Sequence, residues 1–221
     1  MFTAQFSREL DEINKMLLQL GGMVEDSLRK AIKAAREGDP VLGKEVVKSD
    51  NDIDSLELEV EEECLKVMAL HQPVAKDLRY LVAVLKINSD LERIGDLAVN
   101  ISKRSKLLAR EPGFELPETF TQMCDATCRM LTKVLNAFVE FDVNAAKEVF
   151  AQDEEVDEAN KAIYNLVKGN LKSGGEHPVQ NLHLLTMSRH IERAADHVTN
   201  IAEDIIYMLS GDIVRHNKDR I

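Results

Sequence analysis

The chain lacks tryptophan and has only 3 tyrosines and 5 prolines among its 221 residues. It contains no apolar run approaching the roughly 20 residues of a membrane-spanning helix, so we expect no direct membrane insertion. The stretch from Met1 to Glu9 has no basic head followed by an apolar segment, so we expect no secretory signal. The 3 cysteines are an odd number inside helical patterns, which favours reduced thiols in the cytoplasm over a disulfide framework.

Signatures of catalysis are missing as well. The chain has no glycine-rich phosphate loop, no G-x-S-x-G and no H-E-x-x-H. The E-x-x-H motif of di-iron helical bundles is absent from the most polar segment, because Ala195 follows Glu192 by three positions. The sequence therefore predicts a protein that is not an enzyme.

The formal charge is -11, from 39 acidic and 28 basic residues. This balance disfavours nucleic acid, which rewards a basic surface, and it disfavours docking on an anionic membrane leaflet. It suits the binding of cations or of a basic protein partner.

An all-α fold follows from the helix-forming composition and from the prolines, which all fall at breaks between helical patterns. No segment alternates with the period of two that marks a strand. Ser7 is a candidate N-cap of the first helix. The short turns predict antiparallel neighbours, and hence two tandem three-helix bundles at residues 1–111 and 112–221. The six predicted helices span about 7–37, 41–70, 74–109, 118–140, 142–171 and 179–209.

Two segments, 90–101 and 190–201, align without a gap, which indicates an internal duplication. The residues that match are mostly polar, although drift in a duplicated bundle usually spares apolar core positions first. The identical positions are Glu92/Glu192, Arg93/Arg193, Asp96/Asp196, Asn100/Asn200 and Ile101/Ile201.

In each copy a Glu and an Asp stand four positions apart, which places two carboxylates on one helix face. Like charges at this spacing repel, and a bound cation would offset the repulsion. A D-x-x-x-D pair on the preceding helix recurs in both halves, so each half can bring together four carboxylates from two adjacent helices. They are expected on an outer or groove-facing surface, and the alternative is that they are simply solvated helix faces. The eight candidate metal ligands are Asp50, Asp54, Glu92 and Asp96 in the first half, and Asp153, Asp157, Glu192 and Asp196 in the second.

The polar neighbours of these carboxylates that recur in both halves each have two interpretations. Arg93 and Arg193 either orient the carboxylates or form ordinary ion pairs with them. Asn100 and Asn200 either contact a ligand or bridge helices. Lys103 stands where the second half has Glu203, so the two sites need not be equivalent.

Histidines and cysteines supply weaker signals. The seven-residue spacing of His183, His190 and His197 predicts a stripe facing away from Glu192 and Asp196, at a surface or an interface. The remaining pair, Cys124 and Cys128, is four positions apart on one helix; packing is favoured over soft-metal binding.

The segments His71–Arg79 and Asn88–Ile101 closely resemble the PhoU family of phosphate-uptake regulators, and His190–Glu203 resembles the second repeat of that family. The resemblance covers nearly the whole chain. It implies two three-helix bundles whose E/D-x-x-x-D pairs bind metal clusters, with iron, zinc, manganese or magnesium as the cation. One departure within the motif is that the second half has Ala194-Ala195 where the first half has Ile94-Gly95.

The same resemblance implies a function. Family members look like cytoplasmic negative regulators of the phosphate-starvation response, often homodimeric, that bridge the ATPase of a phosphate-specific ABC transporter and a PhoR-type sensor histidine kinase. Two other hypotheses stay open at this point. One is a carboxylate-cluster metalloenzyme, an oxidase or a phosphatase, and the other is a plain helical adaptor in which metals are incidental.

Overall fold

The computed structural model describes residues 4–108 and 113–212. Within these ranges the chain is almost entirely helical and forms no strand, which confirms the predicted fold class. Six helices follow one another along the chain: α1 (Ala4–Glu37), α2 (Pro40–His71), α3 (Ala75–Leu108), α4 (Glu118–Glu140), α5 (Val143–Lys172) and α6 (Pro178–Ser210).

Equivalent aspartates start the middle helix of each half. The Asp39 carboxylate accepts hydrogen bonds from the backbone N–H groups of Val41 (2.8 Å) and Leu42 (3.2 Å). Asp142 does the same at the start of α5, at 2.8 and 3.1 Å. Such caps satisfy backbone donors that have no partner inside the helix. The expected cap at Ser7 is wrong, because α1 already includes Phe6, whose buried ring belongs to the core.

The helices form two three-helix bundles that share one core. α1, α2 and α3 pack on one another, as do α4, α5 and α6, while α3 packs on α6 and α1 on α4 across the two halves. Buried apolar side chains from all six helices form a single continuous cluster. The predicted boundary between residues 111 and 112 lies outside the described residues and stays a prediction.

Polar contacts fix α3 antiparallel to α6 at the centre of the molecule. Lys86 Nζ lies 3.2 Å from the buried Asp204 carboxylate. One turn further along α3, Asp90 Oδ1 lies 2.7 Å from His197 Nδ1 and accepts a hydrogen bond from Asn200 Nδ2 at 3.3 Å. His197 therefore occupies the interface between the repeats, and Asn200 bridges helices. Both are among the roles that the sequence suggested.

The cysteines are packing residues. Cys64, Cys124 and Cys128 are free thiols with buried side chains. Burial raises the pKa of Cys64 to about 12 and the pKa of Cys128 to about 11, so both thiols are protonated at neutral pH.

Replacing Lys86 with methionine tests the link between the halves. The change removes the Lys86 cation from beside the buried Asp204 carboxylate, and we expect the free energy of unfolding to fall by about 2 kcal/mol. This is less than for a fully buried pair, because 38% of the Lys86 side chain is exposed. Urea denaturation of the variant and the wild type measures this loss in the free energy of unfolding. The control is Lys66→Met, which removes an exposed ion pair with Glu63 and should change the free energy of unfolding much less. Equal losses for the two variants would contradict the assignment.

Candidate metal centre

The first carboxylate cluster lies where α2 crosses α3 at close range. Ile53 and Gly95 are both buried at this crossing. A Cβ atom built on Gly95 would lie 3.4 Å from the Ile53 side chain and 3.7 Å from Asp50 Oδ1. The Asp50 carboxylate thus lies against the backbone of α3 at Gly95, the residue that precedes Asp96.

Facing carboxylates change the protonation equilibria of this cluster. Burial raises the pKa of Asp50, and the charges of Asp54 and Asp96 raise it further. Burial also raises the pKa of Glu92, and the charges of Asp96 and Asp54 act in the same direction. The structure therefore places the four ligands predicted for the first half within electrostatic range of one another, between α2 and α3.

Positive charge compensates this cluster only in part. Arg93 lies 3.4 Å from both Glu92 and Asp96, at distances of a weak ion pair. The charge of Lys103 acts to lower the pKa of Asp50, against the larger effects of burial and of the neighbouring carboxylates. Asp50 Oδ1 is nevertheless buried and accepts no hydrogen bond. A buried carboxylate oxygen without a donor is costly, and a cation is one way to satisfy it.

The donor set suits a hard or borderline cation. Carboxylate oxygens are the ligands that magnesium and manganese prefer, and iron and zinc accept them. Within residues 4–108 and 113–212, however, no three His, Cys, Asp or Glu side chains stand close enough to hold one ion. A bound cation would therefore require rotation of these side chains, and metal coordination stays a prediction.

The second cluster repeats this arrangement between α5 and α6. Burial raises the pKa of Glu192, and the charges of Asp196 and Asp157 raise it further. Burial raises the pKa of Asp196 too, followed by the effect of Asp157. These three side chains face one another across the helix pair. Asp153 lies partly buried one turn before Asp157, and its place beside the α6 carboxylates stays a prediction.

The departure at Ala195 does not obstruct the second cluster. Ala195 is fully buried at the position that Gly95 occupies in the first half. A methyl group at Gly95 would meet its neighbours at ordinary van der Waals distances. The two crossings can therefore accept either residue with little rearrangement.

Sequence reasoning missed one acidic residue of the first cluster. Glu57 follows Asp54 by three positions on the same face of α2, and it accepts a hydrogen bond from Asn88 Nδ2 at 3.0 Å. Burial raises its pKa, and the charges of Glu61 and Asp54 add to this effect. The helical spacing from Asp54 is the signal that would have found it.

Comparison with known proteins assigns the chain to a family. The PhoU domain matches it twice, over residues 17–105 and 120–205. The chain belongs to the PhoU family. The two PhoU matches contain the first and the second carboxylate-bearing segments respectively.

Relatives match the chain over nearly its full length. A Thermotoga maritima protein named phosphate-specific transport system accessory protein PhoU homolog 1 is 34% identical over 211 residues, covering 93% of this chain and 89% of that protein. An Aquifex aeolicus protein named as a PhoU homolog is 35% identical over 209 residues, covering 95% of each. Both are named as transport accessory proteins, in agreement with the prediction of a protein that is not an enzyme.

Solved PhoU structures have the same fold. The crystal structure of PhoU from Pseudomonas aeruginosa superposes with a TM-score of 0.90 at 31% identity, covering 94% of this chain and 100% of that one. PhoU from Streptococcus pneumoniae gives a TM-score of 0.88 at 29% identity, covering 95% and 99%. These matches confirm the six-helix, duplicated architecture.

Neutralising one carboxylate tests the cation site. Asp50→Asn removes a charge from the repelling cluster, so the metal-free protein should gain about 0.5 kcal/mol in unfolding free energy. The same variant should lose most of the rise in melting temperature that manganese gives the wild type. Differential scanning fluorimetry with and without manganese measures both effects.

Asp52→Asn serves as the matched control, because Asp52 is exposed on the same helix two positions away. It should leave the manganese effect unchanged. If both variants respond to manganese as the wild type does, Asp50 is not a ligand.

Proposed function

We propose that this protein is an accessory regulator of a phosphate-specific transport system. The observation that carries this proposal is the match to the T. maritima and A. aeolicus proteins over more than nine-tenths of the chain. Similarity of this extent includes both halves and both carboxylate segments, and is not limited to one shared bundle.

Its role is that of an adaptor in the cytoplasm that represses the phosphate-starvation response while phosphate is plentiful. It contacts the transporter ATPase and a PhoR-type sensor histidine kinase. A homodimer is the expected assembly. Among the described helices, none combines the length and apolar character needed to cross a bilayer.

An adaptor needs two separate contact surfaces. Because α3 packs antiparallel to α6, the molecule has two opposite ends that can serve as these surfaces. The end of α6 lies beside the start of α3, since a Cβ on Gly211 would be 3.7 Å from the Arg79 guanidinium. At the other end, Gly113 lies near His177 at the start of α6. The α2–α3 turn and the α5–α6 turn thus lie at opposite ends of the molecule.

Each of these turns exposes large apolar side chains. At the α2–α3 turn, Val74 and Leu78 are 70% and 40% exposed. At the α5–α6 turn, Val179 and Leu182 are 54% and 52% exposed. Exposed apolar groups that cluster in this way are typical of protein contact surfaces. We assign one end to the ATPase and the other to the kinase.

Cations bound at the carboxylate clusters would hold α2 to α3 and α5 to α6. They would offset the repulsion between facing carboxylates and fix the helix pairs that lead into the two turns. In this proposal Asp50, Asp54, Glu92 and Asp96 hold the first cation site. Asp153, Asp157, Glu192 and Asp196 hold the second.

Charge insertion at each end tests the two-surface proposal. Val74→Glu with Leu78→Glu should weaken binding of one partner roughly tenfold or more and spare the other. Val179→Glu with Leu182→Glu should do the reverse, and each double variant is the control for the other. Purified ATPase and the cytoplasmic part of the kinase serve as partners in equilibrium binding assays. Loss of both partners in both variants, or of neither, would contradict separate surfaces.

Regulation is tested in cells that lack their own PhoU protein. Expression of this chain should restore repression of phosphate-starvation genes in phosphate-rich medium, as measured with a transcriptional reporter. Failure to repress, despite normal accumulation of the protein and binding of both partners, would contradict negative regulation.

A further inference from the structure

The two halves differ most in charge along the later part of α2 and of α5. Ile53 and Val156 are equivalent buried positions, as are Val60 and Ile163, which fixes an offset of 103 residues between these helices. With this offset, Glu57, Glu61 and Glu62 of α2 correspond to Asn160, Tyr164 and Asn165 of α5.

Basic residues replace neutral ones at the neighbouring positions. Lys161 and Lys168 stand where α2 has Leu58 and Leu65. On α6, Arg189 stands where α3 has Ser89, with the offset of 100 that relates the two motifs. At these six positions the second half therefore has three fewer carboxylates and three more cations than the first half, in a chain whose formal charge is -11.

All of these substituted residues except Lys168 line a cleft between α5 and α6. Its volume is about 450 Å³, within the range of small-molecule sites. The Lys168 ammonium lies 5.7 Å from the centre of the Tyr164 ring at the same place. The lining includes Asn160, Lys161, Tyr164, Asn165 and Arg189.

The polar groups of the cleft are predominantly hydrogen-bond donors. An arginine, a lysine, a tyrosine hydroxyl and two amides can each donate to an oxyanion. Asn160 Oδ1 is buried without a hydrogen-bond partner, so the oxygen loses no hydrogen bond if this amide turns its NH₂ group toward a ligand. Among the described residues that line the cleft, the one acidic residue is Glu192. Burial raises its pKa, and the nearby positive charge of Arg189 acts in the opposite direction with a smaller effect.

We infer that this cleft binds a phosphate-class oxyanion, either free inorganic phosphate or the phosphate group of a monoester. Several donors around two cations, Lys161 and Arg189, match a tetrahedral dianion better than a carboxylate, and the planar guanidinium of Arg189 suits paired phosphate oxygens. The equivalent face of the first half, with Glu57, Glu61 and Glu62, repels such a ligand. This inference does not depend on the adaptor role, because binding is measured on the isolated protein.

The test exchanges cleft residues for those that the first half uses. The full chain and a Lys161→Leu, Arg189→Ser variant are titrated by calorimetry with inorganic phosphate, phenyl phosphate and acetate. We expect saturable binding of a phosphate ligand by the wild type, and a loss of roughly tenfold or more in the variant, since two charge-assisted hydrogen bonds disappear.

A control variant, Arg8→Ser with Lys44→Leu, removes two exposed charges from the first half and should bind as the wild type does. Both variants change exposed residues, and circular dichroism verifies their folding. Binding of inorganic phosphate identifies the free ion as a ligand, and binding of phenyl phosphate alone identifies a phosphorylated molecule. Equal weakening in the two variants, acetate binding as tight as phosphate, or no binding by the wild type would overturn the inference.

Discussion

Packing of α3 against α6 decides where the other features of the molecule lie. These helices carry the duplicated motif, and each contacts the other as well as two helices of its own bundle. Lys86 with Asp204, and Asp90 with His197, fix their antiparallel register. One face of each helix is thus taken by the opposite half, and the carboxylates face α2 or α5.

The free energy gained by apolar packing between the helices is larger than the cost of the repulsion between the carboxylates that this packing brings together. Complete burial of Ile53 or Ile94 contributes about 1.5–3 kcal/mol each, whereas like charges one turn apart cost about 0.2–0.5 kcal/mol. The core therefore holds Asp50 against α3 even though its Oδ1 finds no donor there. A carboxylate cluster held together against its own repulsion in this way would be stabilised by a bound cation.

Most of the fold could be predicted from the sequence, because local signals specify it. Prolines at the breaks between helical patterns marked helix ends to within a few residues, and the repeat implied two similar bundles. The contacts between the halves could not be predicted in the same way. Asp90 and His197 are more than a hundred residues apart, and nothing local to either indicates that they meet. Glu57 was missed although its spacing from Asp54 was visible, since only the E/D-x-x-x-D pattern was sought.

The account depends most on the claim that acidic side chains of adjacent helices bind cations in both halves. Elemental analysis of protein purified without chelators tests it most directly, with the wild type compared with a Glu92→Ala, Asp96→Ala variant. We predict that the wild type retains a transition metal or magnesium, and that the variant retains only the share bound by the second half. A wild type free of metal, or a variant with undiminished metal content, would contradict the claim.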